Sequence, residues 1–196
     1  MKHIDKTVYF ETEGNTNFEH VIEAVHNYID QDDSIKNIVV FAGKTSSVFR
    51  LQESLLNNNK QHINITVATY AFGRKFIRSN NEEPEAVVPE ASTKEAKEQI
   101  LASGMNYIQG GLPFEPILSC TGDNSTEMII SAYGTISRGL PHCISAAVMA
   151  YENGILEENE KIIALSGDTA ILVTPTIRRE IFSGDFRIHK IICKPL

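Results

Sequence analysis

Residues 38–47, IVVFAGKTSS, decide the fold that this sequence predicts. The first four residues are apolar and mostly β-branched, which is typical of a strand buried on both faces of a parallel sheet. Gly43 follows them and ends the predicted strand. Apolar residues then recur at helical spacing, at Val48, Leu51 and Leu55. The segment therefore predicts a strand, a short loop and a helix in immediate succession.

The same alternation extends over the rest of the chain. Further strands are predicted at 63–70, 107–108, 161–165, 169–173 and 187–193, with helices between most of them. Parallel strands joined by helices require right-handed crossovers, which place helices on both faces of the sheet. The short link at 166–168 instead predicts a hairpin, so the strand after it runs antiparallel. We expect one α/β domain over residues 1–196. Its three layers are helices, a mixed and mostly parallel sheet, and helices again.

The composition and charge of the chain argue against some classes of binding partner. The 196 residues are 42% hydrophobic and carry a net charge of -7, with a pI near 5.4. Nucleic acids and anionic membranes are bound through basic surfaces, and the sequence has no basic cluster, so neither is expected as a partner. No apolar run reaches the ~18 residues of a membrane span, and the first residues lack the apolar core of a signal peptide. We expect a cytoplasmic protein.

The candidate metal ligands are few and poorly spaced. The three cysteines are odd in number and widely separated, at Cys120, Cys143 and Cys193. Such spacing argues against a disulfide framework and against a CxxC zinc site. His20 and Glu23, or Glu23 and His26, lie three residues apart on one predicted helix, but no third ligand accompanies them. A solvated helix face is the preferred interpretation, and no metal is expected.

Cys120 is the cysteine of greatest chemical interest. It precedes a predicted helix, whose N-terminus could activate the thiol as a nucleophile. The alternative is a small buried hydrophobe, since no histidine lies nearby in the sequence to act as its base. His142 and Cys143 are adjacent, yet consecutive residues of a helix point in different directions, so adjacency alone does not make them a dyad.

Several stretches, taken in their order along the chain, carry a family resemblance. They are Tyr9–Glu11 with Gly14-Asn15-Thr16, the helix from Glu127 to Arg138-Gly139, Ser145–Ile155, Asp168-Thr169-Ala170, and the ending Ile191–Pro195. Together they resemble stand-alone, mostly archaeal proteins that are similar to the C-terminal domain of pyruvate kinase. The resemblance covers nearly the whole chain.

The resemblance implies a fold, a ligand class and an assembly. The sheet would have five strands in the order 3-2-1-4-5, with strand 5 antiparallel. The ligand would be a phosphorylated small molecule or nucleotide, with FMN as one candidate cofactor. A homo-oligomer is implied because the corresponding domain lies at subunit contacts in pyruvate kinase. The chain is not expected to be an active pyruvate kinase, since that chemistry requires a (β/α)8 barrel of about 250 residues.

A ligand is expected beyond the carboxyl ends of the parallel strands, where four predicted loops meet. The loop between the first buried strand and its helix contains Gly43, Lys44, Thr45, Ser46 and Ser47. Glycine allows close approach, while the lysine, the hydroxyls and the helix start favour an anion. The alternative is that Thr45 or Ser46 merely caps the helix. The other candidate ligand-binding residues, in the remaining three loops, are Gly73, Arg74, Gly110, Gly111, Gly167, Asp168 and Thr169.

Two of these residues have ordinary alternatives. Arg74 is equally typical of a solvated surface, and Asp168 of a hairpin turn, where Gly-Asp is a common pair. The predicted function is therefore binding of a phosphorylated small molecule or nucleotide without catalysis. One alternative is an enzyme that depends on a flavin or on Cys120. Another is a regulatory domain that binds a protein through the predicted polar loop 78–91, which contains four glutamates.

Overall fold

The structure, a computed structural model, describes residues 6–78, 85–114 and 125–196. The strands are β1 (Val8–Phe10), β2 (Asn37–Phe41), β3 (Asn64–Tyr70), β4 (Phe76–Arg78), β5 (Glu85–Val87), β6 (Asn106–Gly110), β7 (Ile162–Leu165), β8 (Ala170–Thr174) and β9 (Arg187–Pro195). The α-helices are α1 (Phe18–Ile29), α2 (Thr45–Asn57), α3 (Lys94–Ala102), α4 (Ser125–Gly134) and α5 (Leu140–Glu152). Short 3-10 turns lie at Asn15–Asn17, Glu90–Ser92 and Arg178–Glu180.

Seven strands form one sheet, in the order β1-β9-β8-β7-β2-β3-β6. β2 lies between β3 and β7 and pairs in parallel with both, with Val39 opposite Thr66 on one side and Ala164 on the other. β3 and β6 are also parallel, as are β1 and β9. β8 is antiparallel to both of its neighbours. Among the described strands of this sheet, β8 alone therefore runs against the others.

The two faces of the sheet bury two separate hydrophobic cores. Successive residues of a strand point to opposite faces, so Ile38 and Val40 join the core under α1, α2 and α3. Val39 and Phe41 point the other way, into the core formed mainly by α5. This placement explains why β2 is apolar at every position from Ile38 to Phe41. None of the helices in the described ranges combines the length and the apolar character needed to cross a membrane.

The predicted α/β class and mixed sheet are confirmed, whereas the predicted number of five strands is wrong. β6, β3, β2, β7 and β8 lie side by side in that order, and β9 and β1 extend the sheet beyond β8. The order 3-2-1-4-5 is therefore not the order of the whole sheet. β1 has only three residues, too few for alternation to reveal it. It is held by pairing with β9, in register Val8 to Cys193, and by a 2.9 Å hydrogen bond from the Leu196 N–H to the Phe10 carbonyl.

Residues 78–91, predicted as a polar loop, begin and end in secondary structure. β4 and β5 pair antiparallel, with Phe76 opposite Val87, and a 3-10 turn follows at Glu90–Ser92. Residues 79–84 of the predicted loop lie outside the described residues. Each strand of this hairpin has three residues, which is shorter than the 4–8 residues over which a period-two pattern can be recognised. The prediction of a loop over all of 78–91 is therefore wrong: the described residues at its start and after residue 84 belong to a two-stranded hairpin, and a 3-10 turn lies at its end.

Candidate functional site

A cleft of about 270 Å³ opens at the carboxyl ends of β2, β3 and β7. β2 is followed by a crossover to β3 on one side, whereas the strand on its other side, β7, comes much later in the chain. The gap between β2 and β7 is thus a topological switch point, where open α/β sheets bind their ligands. The residues that line the cleft are Asn15, Phe41, Gly43, Tyr70, Arg138, Gly139, His142, Ser166, Gly167 and Asp168.

Asp168 holds the floor of the cleft together. Its carboxylate is buried and accepts hydrogen bonds from the Gly14 N–H at 2.8 Å and from the Thr169 hydroxyl at 3.0 Å. The Thr169 hydroxyl also lies 2.5 Å from that of Ser137, which accepts a 3.1 Å hydrogen bond from the Gly139 N–H. This network joins three separate segments: the chain before α1, the start of α5 and the turn between β7 and β8. Asp168 therefore does more than form the turn between β7 and β8, because its side chain also binds the chain before α1.

Two glycines allow these segments to approach closely. A Cβ atom on Gly139 would lie 2.5 Å from Oδ1 of Asp168 and from Oγ1 of Thr169. A Cβ atom on Gly167 would overlap the side-chain oxygen of Asn15. Such separations are shorter than any carbon–oxygen contact that packed atoms tolerate. A side chain at position 139 would therefore disturb the network, and one at position 167 would displace the Asn15 side chain. By contrast, Gly43 faces open space and is exposed, which leaves its backbone accessible from the cleft.

His142 and Tyr70 form an aromatic wall of the cleft. The imidazole lies 4.7 Å from the Phe41 ring, centre to centre, and its Nε2 lies 3.3 Å from the Tyr70 hydroxyl. Burial lowers the pKa of His142, against the opposing effects of a hydrogen bond with the Arg138 backbone and of the Asp168 charge. His142 is consequently a neutral group at pH 7, able to offer a ring face and a hydrogen bond without adding charge.

The positive charge at the cleft comes from Arg138. Its side chain is 81% exposed, and its Nε lies 3.3 Å from Oε2 of Glu13. Exposed pairs of this kind contribute little to stability, so the guanidinium can exchange its partner at low cost. The N-terminal end of α5 also faces the cleft through Gly139, which adds the positive end of the helix dipole. Both features favour an anionic ligand.

The residues predicted to bind a ligand are only partly brought together. Gly43, Gly167 and Asp168 line the cleft, and Thr169 lies buried in its floor. None of the others is among the described residues that line the cleft: Lys44, Thr45, Ser46, Ser47, Gly73, Arg74, Gly110 and Gly111. Gly73 and Arg74 form an exposed turn after β3, with the guanidinium carbon of Arg74 5.3 Å from the centre of the Phe76 ring. Gly110 ends β6, and Gly111 follows it.

The predicted capping role of Thr45 or Ser46 is corrected. Lys44 occupies the N-cap position of α2, and among the described residues no side chain caps this helix. Thr45 is instead buried and donates a hydrogen bond to the Glu90 carboxylate. The Gly43 carbonyl accepts a 3.1 Å hydrogen bond from the Ala91 N–H. The loop after β2 is thus held by hydrogen bonds to the turn that follows β5. The sequence pattern around residues 43–47 does not predict this contact.

The candidate metal ligands on α1 lie outside the cleft. His20 and Glu23 are exposed, 3.9 Å apart, and line a larger groove of about 480 Å³ between β1 and α1, which shares no lining residue with the cleft. His26 instead packs against α2, where its Nε2 lies 2.8 Å from the Ser54 hydroxyl. Within the described ranges, no three His, Cys, Asp or Glu side chains are placed to hold a metal ion.

The cysteines that the structure describes are buried. Burial raises the pKa of Cys193 to about 12, and it raises the pKa of Cys143 as well. The Cys143 thiol donates to the Thr169 carbonyl at 3.3 Å, so it packs beneath the cleft rather than opening into it. Cys120, the predicted alternative nucleophile, lies outside the described residues.

Seven residues of the cleft lining were not predicted as ligand-binding candidates, and Asn15, Arg138 and His142 are three of them. Arg138 and His142 flank the Gly139-Leu140-Pro141 start of α5, and an arginine before a Pro-initiated helix is a signal that could have been used. Asn15 had no such signal, because it lies at the cleft through long-range contacts: the hydrogen bond of the neighbouring Gly14 to Asp168 and its own packing against Gly167. No family model matches the chain.

Proposed function

We propose that this protein binds a phosphorylated small molecule or nucleotide in the cleft between the ends of β2 and β7, without catalysing a reaction. The observation that carries the proposal is the position of Arg138 at a switch-point cleft that the exposed Gly43 also lines. An arginine fork matches a phosphate group, and glycine lets that group approach the main chain. The resemblance to the pyruvate kinase C-terminal domain supports the same ligand class.

FMN is one candidate ligand of this class. Arg138 would hold its phosphate, and the ring faces of Tyr70 and His142 would lie beside its planar ring system. A bound flavin would supply redox chemistry, which is the basis of the alternative of a flavin-dependent enzyme. The absorption spectrum of the purified protein tests for a flavin directly, because the isoalloxazine ring absorbs visible light.

Calorimetric titration in a phosphate-free buffer tests the proposal. The ligands are inorganic phosphate, ribose 5-phosphate, AMP and FMN, each titrated into the wild-type protein and two variants. Arg138→Gln is expected to weaken binding by about tenfold or more, the value of a charge-assisted hydrogen bond. Arg50→Gln is the matched control, since Arg50 is also exposed and paired with a glutamate, Glu19, at 3.0 Å, but lies outside the cleft lining. The absence of binding by all four ligands would refute the proposal.

Protein binding is a second candidate function, favoured by the hairpin of β4 and β5. Phe72 and Ile77, just before and within this hairpin, are 66% and 78% exposed. Isolated two-stranded hairpins are marginally stable in water, so a partner that covers them would stabilise this one. If the partner is a second copy of the chain, light scattering should give a dimer for the wild type and a monomer for Phe72→Ser/Ile77→Ser. Leu56→Ser, an exposed apolar position on α2, is the control.

A further inference from the structure

A small apolar pocket of about 100 Å³ lies next to the cleft. It is formed where the segment after β6 meets α4 and the first turns of α5. Its apolar lining consists of Leu112, Phe114, Ile130 and Pro141. Its polar lining consists of Arg138, His142 and Ser145.

The pocket and the cleft share a wall. Arg138 and His142 line both spaces, so a group bound at Arg138 in the cleft lies directly beside the pocket. On its cleft side the His142 ring packs against Phe41, and its Nε2 faces the Tyr70 hydroxyl. The imidazole is therefore held from one side and presents the remaining surface to the pocket.

The lining and size of the pocket indicate what could fill it. Most of its lining is apolar, and the exposed Arg138 is one of its lining residues. An apolar cavity of ~150 Å³ can stay dry and bind benzene-sized molecules, so a space somewhat smaller suits a shorter hydrocarbon group. With about 30 Å³ per water-sized group, the pocket has room for roughly three or four methylene-sized groups.

We propose that the natural ligand is a phosphate monoester whose organic part carries a small apolar group, and that this group occupies the pocket while the phosphate lies at Arg138. The inference rests on the proposed function, because the phosphate fixes the ligand in the cleft. It specifies the ligand further: an apolar group of about three or four carbons beside the phosphate end, rather than a uniformly hydroxylated sugar.

A homologous series of alkyl phosphates tests this inference. Methyl, ethyl, propyl, butyl and hexyl phosphate are titrated into the protein by calorimetry in a phosphate-free buffer. Each CH2 group that enters the pocket should tighten binding about fourfold, and the gain should level off after three or four carbons. Methyl phosphate, which is too short to fill the pocket, measures the binding of the phosphate alone.

Two substitutions of Ile130 test whether the gain in affinity with chain length arises in the pocket. Ile130→Phe fills the pocket and should abolish the gain with chain length while leaving methyl phosphate binding unchanged. Ile130→Ala enlarges the pocket and should shift the plateau to longer chains. Met128→Phe is the matched control, because Met128 lies on the same helix and is 70% exposed. Circular dichroism establishes that each variant is folded, and the Ala variant tests the inference even if the Phe variant fails to fold.

The outcomes separate the two proposals. If methyl phosphate binds but affinity does not change along the series, the apolar-group inference is wrong and phosphate binding stands. If affinity rises along the series equally in wild type and both Ile130 variants, the apolar contact is elsewhere and the inference is again wrong. If no member of the series binds, the proposed function fails together with the inference. A rise that Ile130→Phe removes and Met128→Phe preserves supports both.

Discussion

The carboxylate of Asp168 and the backbone N–H of Gly14 form a 2.8 Å hydrogen bond across 154 residues of sequence. Asp168 is buried, so loss of its side chain leaves the Gly14 N–H and the Thr169 hydroxyl short of an acceptor. We expect Asp168→Ala to lower the free energy of unfolding by about 1–3 kcal/mol, the value of hydrogen bonds to a charged group. Urea denaturation followed by circular dichroism measures this. Asp33→Ala, at an exposed position, should change stability by less than about 0.5 kcal/mol, and equal effects of the two substitutions would contradict the prediction.

Gly139 is expected to tolerate no side chain. Its backbone is helical, with φ −76° and ψ −22°, so alanine would be acceptable to the local conformation. The added Cβ would nevertheless collide with Asp168 and Thr169, and we expect Gly139→Ala to destabilise the protein by about 1–3 kcal/mol. Gly134→Ala is the control, since Gly134 also lies in a helix and its Cβ would meet nothing within 4 Å. Thermal unfolding distinguishes them, and a stabilised Gly139→Ala variant would show that the floor of the cleft is less tightly packed than described.

Acidification should destabilise the protein through His26. Burial and the charge of Lys60 lower the pKa of His26 below 6.5, with Asp30 opposing, so the unfolded chain binds this proton more readily than the folded one. The contribution of His26 is therefore complete above pH 6.5 and is lost as the pH falls below that value. We expect the free energy of unfolding to fall between about pH 7 and about pH 5.

The variant His26→Gln should reduce this slope without abolishing it, because the pKa of His142 is lowered as well. Glutamine can still hydrogen-bond to the Ser54 hydroxyl, so the comparison isolates the titrating group. His62→Gln, at an exposed position, controls for the change of residue type. Urea titrations at several pH values provide the measurement. A slope identical to wild type in His26→Gln would rule out His26 as its source.

Glu13 should compete with an anionic ligand for Arg138. The two side chains form an exposed ion pair at 3.3 Å, which a bound phosphate must displace or share. We expect Glu13→Gln to tighten the binding of inorganic phosphate by up to about fivefold, the value of an exposed ion pair. The matched control is Glu19→Gln, which removes the partner of Arg50 outside the cleft. Weaker binding by Glu13→Gln would indicate that Glu13 positions the guanidinium rather than competing for its ligand.

The two described cysteines should be inert in the folded protein. Cys143 and Cys193 are fully buried and have raised pKa values, so neither offers a thiolate to an alkylating agent. Iodoacetamide labelling followed by peptide mass spectrometry should modify them only after denaturation. Rapid labelling of either in the native protein would contradict this. The same peptide map reports the reactivity of Cys120 and so tests the alternative of a cysteine-dependent enzyme.

The sequence by itself determined the alternation of strands and helices. The apolar run of β2 and the helical spacing after Gly43 are local signals, because strand and helix periodicity depend on neighbours a few residues apart. The antiparallel direction of β8 also followed from the sequence, since the short link predicted at 166–168 cannot carry a crossover. The same reasoning indicated that ligands would be found at the carboxyl ends of the parallel strands.

Only the tertiary structure decided the extent of the sheet and the composition of the cleft. β1 exists because its three residues pair with β9, nearly the whole chain away, and no local pattern encodes such a pairing. Asn15, Arg138 and His142 meet Gly43 and Gly167 for the same reason. They converge through the Asp168 to Gly14 hydrogen bond, which joins segments 154 residues apart, and through the close approach of Gly139 to the turn after β7. Interactions between residues close in sequence therefore determine the strands and helices. Packing between distant segments determines which strand and helix ends come together to form the cleft.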